Sequence, residues 1–377
     1  MTQILNTRLF LLASESVQAS AVIAEMSPHC AEIIACSSVK YGYGTGSSRV
    51  SKVLLYKNDE TLLDILREHS SAKPSLIIPM TDNTSFFVSS NSDELEALGY
   101  TVVNPTREQL LSYTDKYLLG SLLEASGLSN LGTRELDPDC ASDQKYPLIA
   151  KPRFGAGARG FAILSSSSEY IAFVDTLTAD SSEYFTQCYV PHSRQFKVTG
   201  AVLDGRVLCS AALEKKRYFP VKAGSSTLCA QPATKTYESY LLETLKEVAA
   251  LTAWTGVLDL DIISTPELDW SNILEINPRV PACYAHYYKN GYRFLSSLAL
   301  GHDVSLPKSK HKPTQYVGLD AMRAFGVGPV GFGVWIRDLM NPRVQTYELL
   351  QGDLKSALFG TLGQISRMTA NLREKKS

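Results

Sequence analysis

The sequence predicts an α/β (α+β) protein that combines a doubly wound, mostly parallel sheet with a second region built on hairpins. Two observations lead to this prediction. Residues 8–104 alternate short apolar runs with helical patterns, which is typical of a parallel sheet covered by helices. Two polar hairpins follow, about a hundred residues apart, one rich in glycine and one rich in acidic residues. A length of 377 residues is enough for two or three lobes with cores of their own.

Composition excludes several classes of protein. The chain is 44% hydrophobic and 20% charged, as expected for a globular protein, and its net charge of −1 argues against a nucleic-acid partner. The seven cysteines form no CxxC pair, which predicts reduced thiols rather than a disulfide frame or a zinc site. No secretory leader and no run of 18 apolar residues occur. We therefore expect a cytoplasmic protein with no membrane partner.

The first region contains the strand and helix patterns in alternation. Strands are predicted at Leu9–Ala13, Glu32–Cys36, Val53–Tyr56, Leu76–Pro79 and Tyr100–Val103, and helices at Ser16–Met26 and Glu60–His69. Ligands of such sheets bind at the carboxyl ends of the strands. The glycine-rich segment Gly42–Ser48 follows one of these strands. A flexible surface loop is the favoured interpretation there, and an anion contact is the alternative.

A helix that carries Lys116 opens the next region. Thr114 or Asp115 can cap its N-terminus, and Gly127 suits the position just after its C-terminus. Its buried face is predicted to consist of leucines 118, 119, 122 and 123. On local sequence alone, Lys116 is a solvated surface residue.

The first polar hairpin spans Tyr146–Leu164. A strand ends in Lys151, and the loop that follows contains Gly155, Gly157 and Gly160, which allow positive φ angles or close approach of a ligand. Because strand-like rather than helical residues follow the glycines, the segment is neither a Rossmann fingerprint nor a P-loop. The alternatives are a phosphate-binding hairpin and an ordinary glycine-rich hairpin.

The second polar hairpin joins a strand at residues 256–263 to one at 272–279. Glu275 and Asn277 are two residues apart and so share a face, which Asp261 can reach from the partner strand. Carboxylate and amide oxygens suit Mg²⁺, a hard ion that also binds nucleotide phosphates. A solvated polar face of an edge hairpin is the alternative.

Together, the lysine with its glycine-rich hairpin, the strand aspartate and the run Leu-Glu-Ile-Asn-Pro-Arg resemble the ATP-grasp superfamily over roughly residues 100–305. Within it the chain looks most like carboxylate-amine ligases and carbamoyl phosphate synthase-like carboligases. The resemblance implies an N-terminal doubly wound domain (1–108), an ATP-grasp domain (109–305) with a small lid lobe at about 128–187, and a C-terminal appendage (306–377). The nucleotide is expected between the lid lobe and the mixed-sheet lobe that follows it.

The resemblance also implies roles for individual residues. Lys116 and Lys151 match the phosphate-contacting lysines, and Arg279 faces the transferred phosphoryl group. Gln187, Tyr189 and Val190 lie on the strand that holds adenine, and Gln195 matches the ribose contact. The family usually has glutamate at positions 187 and 195, so nucleotide preference is open. The implied cofactors are ATP and Mg²⁺, with Mn²⁺ as an alternative metal, and Asp261, Glu275 and Asn277 are the implied metal ligands.

Other residues are weaker candidates. Lys197 is a candidate phosphate or substrate contact, and the loop at 215–235 is either a mobile connection or a loop that closes over the phosphates. His286 is either a substrate contact or a packed core histidine. In the appendage, Arg323 and the pair Arg337-Asp338 are candidates for substrate contact.

The predicted function is an ATP-dependent carbon-nitrogen ligase that activates a carboxylate as an acylphosphate for attack by an amine. In this scheme Lys151 and Arg279 are the catalytic residues, and the partners are a small carboxylate and a small amine, with a homodimer as a compatible assembly. The alternatives are a carboligase that uses carboxyphosphate on a sugar or natural-product precursor, and a nucleotide-binding protein that has lost catalysis.

Overall fold

A computed structural model of the chain describes residues 7–155, 160–177, 181–191, 193–219, 225–265, 271–346, 353 and 355–363. The described N-terminal part forms a five-stranded parallel sheet in the order β3-β2-β1-β4-β5. Its strands are β1 (Thr7–Leu12), β2 (Cys30–Ser37), β3 (Lys52–Leu55), β4 (Ser75–Pro79) and β5 (Tyr100–Val102). The helices around it are α1 (Ala19–Met26), α2 (Asp59–Glu68), α3 (Asp82–Ser90) and α4 (Ser92–Ala97).

The predicted doubly wound sheet is thus confirmed, and the predicted boundaries of its strands and helices differ from the observed ones by at most three residues. Strand β1 is the central strand of this sheet, and its residues from Arg8 on are buried, as expected for an apolar strand that is covered on both faces. The chain passes from β1 to β2 on one side and later to β4 on the other, so the carboxyl ends of β1 and β4 flank the switch point. Helices α3 and α4 were not predicted from the sequence.

Helices α5 (Arg107–Thr114) and α6 (Lys116–Ala125) connect this sheet to the next region. Asp115 caps α6 by accepting hydrogen bonds from the backbone N–H groups of Tyr117 and Leu118, as predicted. Gly127 follows the helix with a φ of +71°, also as predicted. The prediction of the buried face of α6 was partly wrong, because Leu119 and Leu123 are buried but Leu118 is 46% exposed.

A small antiparallel sheet follows, in the order β6-β9-β7-β8. Its strands are β6 (Arg134–Glu135), β7 (Leu148–Pro152), β8 (Ala162–Leu164) and β9 (Tyr184–Cys188), and α7 (Ser167–Thr176) covers it. Leu148, Ala150 and Tyr170 pack into a core that belongs to this sheet alone. This lobe is the predicted lid. Ser166 caps α7 by accepting a hydrogen bond from the N–H of Glu169.

The largest described sheet is mixed, in the order β14-β13-β10-β11-β12-β15-β16. Its strands are β10 (Arg194–Leu203), β11 (Arg206–Phe219), β12 (Ser225–Ala230), β13 (Gly256–Ser264), β14 (Ser271–Asn277), β15 (Thr314–Gln315) and β16 (Gln345–Thr346). Its helices are α8 (Lys235–Thr252), α9 (Tyr284–Lys289), α10 (Phe294–Leu300), α11 (Val317–Val327) and α12 (Pro329–Met340).

The two faces of this sheet differ in character. Leu241 and Leu245 of α8 pack with Val198, Ala212 and Leu260 in one apolar cluster. Alternate residues on the same strands point to the opposite face, which carries the predicted polar side chains. The core beneath the helix therefore fixes the orientation of the polar face.

The described C-terminal residues contact both the large mixed sheet and the N-terminal region. Strands β15 and β16 extend the large sheet next to β12. A helical segment at 355–363 lies over the glycine-rich segment of the first region, where Ser356 Oγ donates to the backbone oxygen of Tyr43 and the Gly46 backbone packs against Phe359. Tyr43 is 1% exposed, so the flexible loop predicted at Gly42–Ser48 is wrong.

Two further observations concern the whole described chain. None of its helices combines the length and the apolar character that a bilayer span requires. All seven cysteines are free thiols, and four of them, Cys36, Cys209, Cys229 and Cys283, are buried.

Candidate active site

Lys151 lies near the end of strand β7 of the lid, where the glycine-rich turn begins. Its side-chain nitrogen is 5.1 Å from the centre of the Phe185 ring on the neighbouring strand β9. Burial lowers the pKa of Lys151 to about 8, with Glu275 opposing this and Lys116 adding to it. The Lys151 ammonium group is thus poorly solvated, and a bound anion would stabilise its charged form and raise its pKa again.

This lowered pKa gives a pH prediction. The free protein should lose its charge at Lys151 above pH 8 rather than at the ordinary value of 10.5. MgATP affinity, measured by calorimetry, should therefore fall by up to about tenfold per pH unit above 8. Lys151→Arg should move this decrease to higher pH. A wild-type affinity that stays flat to pH 9.5 would contradict the role of Lys151. The same shift makes the folded apo-protein more stable as pH rises from about 8 towards 10.5.

Lys116, the first residue of α6, contacts the glycine-rich turn. Its Nζ donates to the backbone oxygen of Gly155 at 2.6 Å and lies 3.7 Å from Oε2 of Glu275. Gly155 has a φ of +119° and Gly160 one of +72°, both in the region that favours glycine. Gly157 lies outside the described residues. Lys116 is thus close to the described part of the glycine-rich turn, whereas its phosphate contact stays a prediction.

An ion pair fixes Lys116 relative to the lid. Asp115, only 2% exposed, accepts hydrogen bonds from Nε and one Nη of Arg153 while it also caps α6. The backbone N–H of Lys116 donates to the oxygen of Arg153. One carboxylate therefore joins the start of α6 to the end of β7.

We expect Asp115→Ala to lower the free energy of unfolding by about 2 kcal/mol or more, because it removes the carboxylate that pairs with the partly buried Arg153 guanidinium and also removes a helix cap. Asn58→Ala, which removes the exposed cap of α2, is the matched control and should cost about 1 kcal/mol. Urea unfolding of the two variants measures the difference. Equal losses would mean that the ion pair adds nothing to the cap.

The acidic hairpin pairs β13 with β14 in antiparallel register. Asp261 stands opposite Glu275, and Asp259 stands opposite Asn277, so all four side chains share the polar face. Burial, and then the charge of Asp261, raise the pKa of Glu275, while Lys116 opposes this. The face that the sequence predicted for Glu275, Asn277 and Asp261 is thus present, with Asp259 as a fourth member.

Two lysines from neighbouring strands contact these acids. Lys197 on β10 is 2.5 Å from Asp259 Oδ2 and 3.1 Å from Asp261 Oδ2, and Lys215 on β11 is 2.6 Å from Asp261 Oδ1. The sequence suggested Lys197 as a phosphate or substrate contact, whereas here it is paired with carboxylates. Asp259 and Lys215 were missed. The two-residue spacing of Asp259 and Asp261 was a signal that could have identified the first of them.

Arg279 follows β14 and connects the hairpin to the first region. Its Nε is 2.8 Å from Oδ1 of Asp82, and one Nη donates to Oδ1 of Asn277 at 3.2 Å. Burial acts to lower the pKa of Arg279, but Asp82 and the site carboxylates outweigh it and raise the pKa. Asp82 begins α3 next to the switch point, so the guanidinium lies where the first region meets the hairpin.

The predicted adenine strand corresponds to β9 and the residues after it. Gln187 is buried and donates from Nε2 to Thr133 Oγ1 at 2.9 Å. The N–H of Tyr189 donates to the oxygen of Pro147 at 3.1 Å, and the Tyr189 and Val190 side chains are half-buried. Gln195 is half-buried on the polar face of the large sheet, opposite Lys215.

Two of the weaker candidates lie elsewhere. His286 is 2% exposed, Nδ1 lies 3.0 Å from Thr314 Oγ1, and burial lowers its pKa to about 3, so the core interpretation applies. Arg337 is 70% exposed beside Asp338, whose carboxylate pairs with Arg217. Part of the 215–235 loop, residues 220–224, lies outside the described residues.

The polar face fits a magnesium ion only in part. Glu275 and Asn277 offer a carboxylate and an amide oxygen, a suitable pair for a hard cation that keeps other oxygen ligands from phosphates and water. Both oxygens of Asp261, in contrast, are engaged by lysines. Across the described ranges, no group of three or more histidine, cysteine or acidic side chains is arranged to hold a metal.

Comparison with known proteins identifies the fold. No protein-family model matches the chain, and no curated protein matches its sequence. The biotin carboxylase domain of Hydrogenobacter thermophilus 2-oxoglutarate carboxylase, solved as a dimer with MgADP, ADP and bicarbonate, superposes with a TM-score of 0.64. The two are 13% identical over 82% of this chain and 73% of that one. Staphylococcus aureus N5-carboxyaminoimidazole synthetase gives a TM-score of 0.64, with 12% identity and 86% of each chain covered.

Campylobacter jejuni biotin carboxylase, solved with β,γ-ATP, gives a TM-score of 0.62 at 14% identity. The match covers 80% of this chain and 72% of that one. Each of the three likenesses covers at least 80% of this chain. The chain therefore has the ATP-grasp fold that the sequence resemblance implied.

Proposed function

We propose that this protein is an ATP-dependent, ADP-forming ligase that activates a carboxylate for attack by an amine. The observation that supports it most directly is the meeting of three segments at Lys116, which bonds Gly155 of the glycine-rich turn and lies 3.7 Å from Glu275 of the acidic hairpin. A phosphate chain placed against that turn would be close to both lysines and to the candidate metal ligands. In this proposal the nucleotide lies between the lid and the large sheet.

In the proposed reaction each of these site residues has a different role. Lys116 and Lys151 neutralise the phosphates. Glu275 and Asn277 would hold Mg²⁺, which would supply Lewis-acid stabilisation of the transferring phosphoryl group. Arg279 stabilises charge on that group and on the acyl oxygen. A substrate carboxylate oxygen attacks the γ-phosphorus and ADP leaves. The amine then attacks the acyl carbon, a proton is lost, and inorganic phosphate departs from the new amide.

A carboligase is the second candidate, and the comparisons favour it specifically. Biotin carboxylase is a carboxylase by name, N5-carboxyaminoimidazole synthetase is named for a carboxylated product, and one of the matched structures contains bicarbonate. In that case bicarbonate replaces the organic carboxylate and carboxyphosphate is the activated species. Loss of catalysis is the third candidate, because Gln187 and Gln195 stand where the family usually has glutamate. Substrate-dependent ADP release separates the third candidate from the first two.

The test is a product analysis on a panel of carboxylates, amines and bicarbonate. We expect ADP and inorganic phosphate in equal amounts, only when both substrates are present, and transfer of one ¹⁸O from the labelled carboxylate to phosphate. Transfer from labelled bicarbonate without an organic acid would select the carboligase. AMP and pyrophosphate as the main products would contradict both reactions, because both release ADP. Adenylation would also require cations at the α-phosphate.

A further inference from the structure

A lysine ammonium group lies between two carboxylates at the centre of the polar face. Lys197 Nζ is 2.5 Å from Oδ2 of Asp259 and 3.1 Å from Oδ2 of Asp261. The three side chains are almost closed off from solvent, with exposed fractions of 11% for Lys197, 0% for Asp259 and 10% for Asp261. The ammonium group is therefore a fixed positive charge between buried acids rather than a mobile surface charge.

The remaining contacts of the two aspartates leave little room for another cation. Thr199 Oγ1 donates to Oδ1 of Asp259 at 2.6 Å, and Lys215 lies 2.6 Å from Oδ1 of Asp261. The amide of Asn277 donates to Oδ2 of Asp261 at 3.3 Å. Three of the four carboxylate oxygens thus accept a hydrogen bond, and the fourth, Oδ1 of Asp261, has no hydrogen bond from the described residues but lies within ion-pair distance of Lys215. A divalent ion would have to remove at least one ammonium group from a buried ion pair, which is strongly unfavourable.

We infer that Lys197 takes the place of a divalent cation between Asp259 and Asp261, so that this face binds a single metal ion, at Glu275 and Asn277. Two buried carboxylates on adjacent strands would otherwise be a good site for a hard cation. A covalently attached ammonium group neutralises them without a free ion. Asp259 and Asp261 then position Lys197 and Lys215 and are not metal ligands.

Glu275 is the member of the acidic group that remains available to a metal. Its nearest described ammonium group, that of Lys116, is 3.7 Å away, which is longer than any contact of Lys197 with its two acids. The assignment of the single ion to Glu275 and Asn277 rests on the proposed function. The occupation of the other position by Lys197 does not depend on it.

The experiment counts Mn²⁺ ions bound to the full-length protein by electron paramagnetic resonance, with and without a non-hydrolysable ATP analogue. With the analogue, we expect one Mn²⁺ for the wild type and two for Lys197→Met, which frees the carboxylate pair. Lys197→Arg keeps the charge and should stay at one. Lys246→Met, which breaks an exposed pair with Glu243, is the matched control and should also stay at one. Added Mn²⁺ should raise the unfolding temperature of Lys197→Met by more than that of Lys246→Met, because the first variant binds one ion more.

Lys197→Gln is the second variant in case Lys197→Met does not fold, because its amide can still donate to Asp259. It should also bind one ion more than the wild type. Two ions in the wild type, or no additional ion in a folded Lys197→Met or Lys197→Gln protein, would overturn the inference. The measurement without nucleotide separates this failure from that of the proposed function. A wild type that binds no nucleotide refutes the function, whereas the difference of one ion between variant and wild type still tests Lys197.

Discussion

Replacing Glu275 by glutamine is expected to reduce Mg²⁺-dependent kcat by about 10² or more while the fold is kept. The side-chain volume is unchanged, but the amide lacks the charge that a metal ligand contributes, and loss of one preorganised charge contact has costs of this size. Because burial and Asp261 raise the pKa of Glu275, the neutral side chain should be tolerated in the apo-protein. The unfolding temperature should therefore change little or rise.

Glu247→Gln, on the exposed side of α8, is the matched control and should leave kcat and stability unchanged. The measurement is initial-rate kinetics over a range of Mg²⁺ concentrations, with the substrate pair that releases most ADP in the panel. The variant should require more Mg²⁺ as well as turn over more slowly. Unchanged Mg²⁺ dependence in Glu275→Gln would refute the metal assignment.

The parts of the site that could be predicted from the sequence depend on local rules. Glu275 and Asn277 share a face because they are two residues apart on a strand, and this requires no knowledge of the fold. The cap at Asp115 and the positive φ of Gly127 follow from the same kind of local preference. The glycine-rich hairpin was predicted correctly as a strand followed by a second strand, because no helical pattern follows it.

The partners of the charged groups could not be predicted because they come from strands far apart in the chain. Lys197 and Asp259 are separated by 62 residues, and they meet only because β10 lies next to β13 in the sheet. A lysine on an alternating strand has the same local pattern whether it contacts solvent, a phosphate or a carboxylate. The same limit explains the segment at Gly42–Ser48, whose polar composition suggests a surface loop although a helix from the C-terminal region covers it.

The second large effect on kcat is expected from a substitution of Arg279, because of the contacts that this side chain makes. Its guanidinium contacts Asp82 of the first region and Asn277 of the hairpin, and these contacts fix the direction of its remaining N–H donors. A planar group with several donors can follow charge as it moves between the phosphoryl and acyl oxygens, which a lysine cannot do as well. Asp82 is thus a positioning residue for Arg279.

We expect Arg279→Lys to lower kcat by about 10³, the lower end of the range for an arginine that stabilises phosphoryl transfer. The Kd for MgATP should change by no more than about threefold, because Lys116 and Lys151 still bind the ground-state phosphates. Asp82→Asn should lower kcat by about tenfold through loss of positioning, and the exposed Arg107→Lys is the matched control. A parallel change in Kd and kcat would mean that Arg279 binds the nucleotide rather than the transition state. Because Arg279 follows closely after the strand that carries Glu275 and Asn277, separate effects on Mg²⁺ dependence and on kcat would assign two distinct roles to one short segment.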